Sequence, residues 1–343
     1  MFNSGDVSVA IDFHTSESRL KAVRRNGAYL QYIEEIHQTP EICLAAVQQD
    51  GLALKFVCHQ SPEVCLEAVR QNGMALEFVR KQTADLCLEA VQENGWALKH
   101  VQKQTVEICM AAVKQDGWAL RYVHDVHDVH DQTREICLAA VRKNGNTLKV
   151  IQEQTFGLCM EAVRERGWAL QFVQKQTPEI CMAAVKQDGY ALKYVHEQTP
   201  EICMAAVLQN CWALQYAREQ NPEICMAAVM QNGMALNDVQ KQTPEICLSA
   251  VRQDGRALQY VRDQSPDICL AAVQNCGEAL RFVQEQTPEI CLAAVRQDGW
   301  ALRYVHDKTP EICRTAVSQN PEVEQYMLIS ISSDDEEDAG PRP

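Results

Sequence analysis

Long apolar runs are missing from this chain. No stretch reaches the roughly 18 consecutive apolar residues that a membrane span needs, so no membrane association is expected. Residues Met1 to Phe13 contain neither a basic n-region nor an apolar h-region, so no secretory leader is expected. Aromatic residues are scarce, at 6%, although the hydrophobic share of 46% is ample for a core. That balance suits short, closely packed helices better than one large globular core. An excess of positive charge is also lacking. The formal net charge is −14, which argues against a general nucleic-acid binder, whose affinity rests on neutralising phosphates. A local basic stripe remains compatible with it.

Signatures of catalysis are absent as well. The chain has no phosphate-binding glycine loop, no nucleophile elbow and no His-Glu-x-x-His, so neither an enzyme nor a cofactor is expected. Nor does it contain the Cys-x2-Cys pairing typical of structural zinc. Sixteen cysteines without export features point to a reducing, intracellular setting, cytoplasmic or nuclear, or to a host cell or virion if the source is viral.

What the chain does contain is a repeat. Cysteines stand at 43, 65, 87 and 109, then at 137, 159, 181, 203, 225, 247, 269, 291 and 313, every interval being 22 residues except one of 28. Glycines keep the same beat eight residues later, from Gly51 to Gly299, and nine of the twelve prolines stand three residues before the cysteine. Three residue types in one phase define a tandem array.

In the copy TPEICLAAVRQDGWALRYVHDK, Thr287 to Lys308, Thr287 is a good N-cap, Pro288 suits the first helical turn and Glu289 faces the positive end of the helix dipole. Ile290, Cys291, Ala294 and Val295 share one face at helical spacing. Gln297-Asp298-Gly299 stops the helix, with a left-handed glycine expected at its end. A second helix is expected from Trp300 to about Asp307, with Ala301, Leu302, Tyr304 and Val305 as its apolar face.

Helices this short are marginal alone, so stacking of neighbours must supply the core. The expected fold is therefore an all-α solenoid of about 14 tandem helix-turn-helix repeats, a rod or superhelix on the order of 100 Å long. Residues 15–331 form the array: a degenerate N-terminal cap at 15–38, twelve repeats over 39–308 with an insertion near 124–131, and a C-terminal cap at 309–331. Residues 1–14 and the acidic tail 332–343 are expected to be disordered, and the chain to be a monomer.

The phrase TPEICLAAVRQDGWALRYV resembles the repeat known as domain of unknown function 4116, and the likeness covers about residues 15–331. That family occurs in large DNA viruses, intracellular bacteria and protists. The resemblance implies a helical repeat and no assigned activity.

Four constellations invite a functional reading. The ladder cysteines belong to successive repeats, about 10 Å apart, beyond disulfide reach, and read as small core fillers. Cys58, Cys211 and Cys276 fall outside the ladder and are the expected exposed thiols; Cys211 occupies a glycine position, which a left-handed backbone would strain by about 1 kcal/mol. The insertion HDVHDVHD could bring His124 near His127 or Asp128 around a weakly held metal, or could simply extend a helix or loop.

The third constellation is the residue after each glycine, which varies while its neighbours do not. It is Trp96, Trp118, Trp168, Tyr190, Trp212 and Trp300, and elsewhere Leu52, Met74, Asn146, Met234, Arg256 or Glu278. Three residues on come Lys55, Glu77, Lys99, Arg121, Lys149, Gln171, Lys193, Gln215, Asn237, Gln259, Arg281 and Arg303, basic or amide in all but one. Such a row could grip an extended acidic peptide or stack single-stranded nucleic acid. Alternatively, the aromatics plug gaps between repeats and the charges solvate a face.

The fourth is the C-terminal tail. Leu328, Ile329 and Ile331, followed by Ser332, Ser333 and an acidic run, resemble a SUMO-interacting motif, in which strand addition would pair with a sheet edge while the acids meet a basic rim. Ser332 and Ser333 also resemble acidophilic-kinase sites. The expected function is a non-catalytic scaffold for a protein or peptide, with single-stranded nucleic-acid binding or an architectural role as alternatives.

Overall fold

The computed structural model describes residues 13–124 and 130–326. The chain divides into two compact blocks, Met1–Gln174 and Lys175–Pro343. The first contains α1 (Ser16–Arg25), α2 (Pro40–Gln49), α3 (Pro62–Gln71), α4 (Ala84–Glu93), α5 (Val106–Gln115), α6 (His130–Lys143) and α7 (Phe156–Glu165). The second contains α8 (Pro178–Gln187), α9 (Pro200–Gln209), α10 (Pro222–Gln231), α11 (Pro244–Gln253), α12 (Pro266–Asn275), α13 (Pro288–Gln297) and α14 (Pro310–Gln319). No strand occurs among the described residues. Each block is an all-α solenoid in which every α-helix packs on the next α-helix and every connecting helix packs on its own successor.

The second helix of each repeat differs from expectation. It is a six-residue 3₁₀ helix, such as Gly51–Phe56 or Gly299–Tyr304, and ends three residues earlier than Asp307. Its bonds run from Ala53 N–H to Asp50 O (2.9 Å) and from Val57 N–H to Leu54 O (3.1 Å). With three residues per turn, Gly51, Leu54 and Val57 line up on the buried side, while Leu52 and Lys55 eclipse on the outside.

The α-helices start as the sequence dictates. Thr39, Ser61, Thr287 and their equivalents accept a hydrogen bond from the N–H three residues on, and proline opens the first turn in most copies. Their ends rely on one shared residue. Asp50 is extended (φ −147°, ψ 109°); its N–H still donates to Ala46 O, while its carboxylate accepts from Leu52 N–H at 2.9 Å. One side chain thus closes the α-helix and opens the 3₁₀ helix. At Arg166 and Cys276 this side-chain cap is missing.

This arrangement overturns the expected left-handed glycine. Gly51 and its equivalents do not take up positive φ; they are small because the next helix lies against them. A Cβ on Gly51 would stand 2.4 Å from Ala68 O, and on Gly255 2.4 Å from Ala272 O. Cys211 therefore does not carry left-handed strain: it opens its 3₁₀ helix as the glycines do.

The core of each block is the column of Ile, Val or Leu, then Cys, Ala and Val from the α-helices, and mainly Ala, Leu and Val from the 3₁₀ helices. Each large aliphatic side chain contributes about 1.5–3 kcal/mol on full burial. A lone repeat would leave most of these positions wet, so the stack is the folding unit. The insertion is partly absorbed by α6, at 14 residues against the usual 10.

Candidate functional site

A glutamine ladder, not anticipated from the sequence, fixes the connecting helices. Gln242 donates from Nε2 to Tyr260 O (2.8 Å), while its Oε1 accepts from Arg262 N–H (3.0 Å) and from Cys247 Sγ (3.6 Å). Its amide thus straddles Val261 of the following repeat. Gln60, Gln82, Gln154, Gln198, Gln220 and Gln264 do the same in their own blocks. A second set reaches backwards: Gln253 Oε1 accepts from Gly233 N–H at 2.6 Å and Gln297 Oε1 from Gly277 N–H at 2.6 Å. The visible signal was glutamine two residues before eight of the nine helix-opening prolines, Lys308 standing before the ninth.

The cysteine ladder is the partner of those glutamines. Apart from the half-buried Cys137, these thiols are buried. Burial pushes Cys43, Cys109 and Cys181 up to about 11, far from the thiolate needed by a nucleophile or metal ligand. Of the off-ladder thiols, Cys58 and Cys276 are half-buried, but Cys211 is only 5% exposed and burial raises its pKa. The expectation that Cys211 is exposed is thus corrected: the glycine position lies inside the stack. Cys58 lines an open cleft of about 880 Å³ with His59, Leu66, Arg80 and Leu86.

The aromatic and basic residues fall on the outer side of the 3₁₀ helices. In the first block Trp96 and Trp118 are half-buried, whereas Trp168 is 39% exposed. Trp96 Nε1 donates to Asp116 Oδ2 at 2.6 Å, and its ring meets Tyr122 edge-on at 5.7 Å. The exposed Arg121 lies over Tyr122 at 5.7 Å, and Lys55 over Phe56 at 4.7 Å. In the second block Tyr190, Trp212 and Trp300 are half-buried, and Tyr190 meets Tyr216 edge-on at 5.9 Å. Exposed Lys193 lies over both Tyr194 and Tyr216 at 5.9 Å. Exposed Arg303 lies over Trp300 at 5.5 Å and Tyr304 at 5.2 Å.

A second aromatic row, one residue after the basic one, completes this surface: Phe56, Phe78, Tyr122 and Phe172 in the first block, and Tyr194, Tyr216, Tyr260, Phe282 and Tyr304 in the second. All are half-buried. The charged ends of these basic residues lie over the rings, an arrangement in which a cation is held in place before any ligand arrives. Some are already engaged: Arg281 pairs with Glu278 at 3.1 Å and Arg256 with Asp254 at 2.8 Å.

Among the described residues no group of three His, Cys, Asp or Glu side chains could hold a metal ion. His124 donates its N–H to Gln104 Oε1 at 3.0 Å, the same role as its equivalents in other repeats; His127 and Asp128 lie outside the described residues. So do Leu328, Ile329, Ile331, Ser332 and Ser333, together with residues 1–12 and the tail 332–343. No helix among the described residues is long and apolar enough to cross a membrane.

No curated protein matches the sequence. A protein family does, the one described as Domain of unknown function (DUF4116), at residues 19–61, 83–127, 106–154, 156–198, 199–243 and 243–286. Each match spans about two of the 22-residue repeats, and together they cover well over half of the chain. With its tandem array of α and 3₁₀ helices and this run of matches, the chain belongs to the DUF4116 family.

Proposed function

We propose that this protein is a non-catalytic scaffold that holds an extended acidic segment of another protein along the outer side of its 3₁₀ helices. The observation that carries this reading is the set of exposed cations, Arg121, Lys193 and Arg303 among them, seated on half-buried rings in a chain whose net charge is −14. Anchored cations beside apolar surface suit carboxylates interspersed with apolar side chains. Repetition along the row suits an extended ligand, contacted by one repeat after another. The buried, unpaired ladder thiols are consistent with a reducing, intracellular setting.

Single-stranded nucleic acid fits this surface less well. Base stacking needs open ring faces, and here the protein's own cations lie over the rings of Phe56, Phe282 and Tyr304. Anisotropy titrations with a labelled polyglutamate peptide and with labelled oligothymidylate separate the two readings. The peptide should bind with an affinity that falls as salt rises, and Arg281→Ala with Arg303→Ala should weaken it about tenfold, roughly 1.4 kcal/mol, at unchanged helicity. Tighter binding of the oligonucleotide, or indifference to the double substitution, would refute the proposal.

A further inference from the structure

The outer surface of the α-helices follows a rule that is broken in one place. Five residues after the ladder cysteine, each α-helix turns a side chain to solvent, and from Gln48 to Arg296 that residue is glutamine, lysine or arginine in every repeat but two. The exceptions are adjacent: Leu208 on α9, 61% exposed, and Met230 on α10, 66% exposed. One helical turn earlier stand Met204 and Met226, both half-buried, with Ala205 and Ala227 beside them. Since α9 packs on α10, these side chains form two parallel apolar columns with a groove between them.

In two places of the first block this face carries an ion pair that bridges neighbouring helices. Arg70 on α3 meets Glu89 on α4, and Arg142 on α6 meets Glu161 on α7, each at 2.7 Å. In the equivalent place Leu208 faces Ala227, so no such pair can form. In their last turns α9 and α10 thus turn leucine and methionine to water, where α2–α8 and α11–α13 turn glutamine, lysine or arginine.

The charges around the groove have a direction. Lys186 and Arg252 flank it in the last turns of α8 and α11, while the exposed Glu201 and Glu223 stand in the first turns of α9 and α10. One end of the groove is therefore positive and the other negative. A free-standing amphipathic helix tends to carry acids in its first turn and bases in its last, matching its dipole. It fits these charges only with its first turn at the Lys186 and Arg252 end, that is, antiparallel to α9 and α10.

We infer that α9 and α10 dock one amphipathic helix of a partner protein. It runs antiparallel to them, about 15 Å or ten residues long, with apolar side chains at i and i+4 seated between the Met204–Leu208 and Met226–Met230 columns. Methionine suits the place because its flexible thioether adapts to the incoming side chain. This surface lies on the α-helices and does not depend on the aromatic row of the 3₁₀ helices.

The test uses the full chain and two labelled synthetic helices of equal composition, both with leucine at i, i+3, i+4 and i+7. One carries glutamates in its first turn and lysines in its last; the other has these exchanged. The first should bind, L208K with M230K should weaken it at least tenfold, and the exchanged peptide should bind about threefold or more weaker. Lysine occurs at this row in Lys114 and Lys186, so the double variant should keep its circular dichroism. The variant Arg281→Ala with Arg303→Ala should bind the first peptide as the parent does, which separates this proposal from the one above. Equal binding of both peptides, equal binding by the lysine variant, or no saturable binding would overturn the inference. Self-association of the chain that those two lysines abolish would also overturn it, assigning the groove to a second copy.

Discussion

A single amide shows how much of this fold rests on one side chain. Gln242 satisfies a carbonyl, a backbone N–H and a thiol, all in the repeat that follows it. Replacing it with alanine leaves part-buried backbone groups without partners, each such loss costing about 1–3 kcal/mol. Gln242→Ala should therefore destabilise the chain by about 2–4 kcal/mol in chemical denaturation. Gln242→Glu, which keeps the acceptor and loses the donor at neutral pH, should fall between alanine and the parent. An alanine variant as stable as the parent would mean that water replaces these bonds at little cost. The same chemistry explains why the role was not legible beforehand: the partners stand 18 and 20 residues downstream, and only stacking brings them within reach.

At the scale of the element, close packing of the 3₁₀ helix against the next repeat favours glycine at its start. Adding a methyl group to Gly255 would place it 2.4 Å from Ala272 O and 2.9 Å from Cys276 Cβ. Cys211 demonstrates that one repeat accommodates a Cβ there, so the neighbour can shift. Gly255→Ala is accordingly expected to cost about 1–3 kcal/mol, the range for overpacking. Asparagine separates the two explanations for this glycine. Asparagine tolerates a left-handed backbone, so under that explanation Gly255→Asn would be milder than Gly255→Ala. Crowding requires the opposite order, and thermal melts of both variants decide between them.

Across the whole molecule the buried thiols act together. Their ordinary pKa is 9.0, and burial raises it to about 11 at Cys43, Cys109 and Cys181. Below pH 9 these thiols are protonated whether the chain is folded or unfolded, so stability is independent of them. Between pH 9 and 11 the unfolded chain releases protons that the folded one retains, and stability falls. Helical circular dichroism against pH should stay level to about 9 and drop before 11, and changing Cys43, Cys109 and Cys181 to alanine should blunt the drop. Iodoacetamide at neutral pH should label Cys58 and Cys276 in the native protein and reach the buried ladder cysteines only on unfolding. An alkaline transition unmoved by the triple substitution would remove the thiols as its cause.

The sequence by itself determined the period, the N-caps and the buried column, because Thr-Pro-Glu, Cys, Ala-Val and Gly each announce their place through local rules of capping and spacing. It also placed Trp96, Trp118 and Trp168 at equal positions in the repeats of the first block, and Tyr190, Trp212 and Trp300 at the same position in those of the second. Tertiary structure decided the rest. The pattern Gly-x-Ala-Leu-x-x-Val fits spacings of three and of four alike, so only packing against the next repeat chose the 3₁₀ helix. Crowding at glycine, the burial of Cys211, the reach of the glutamines and the exposure of Leu208 and Met230 all depend on which atoms the neighbouring repeat supplies. Local sequence fixes what a residue can offer its surroundings; the stacked neighbour fixes what it meets.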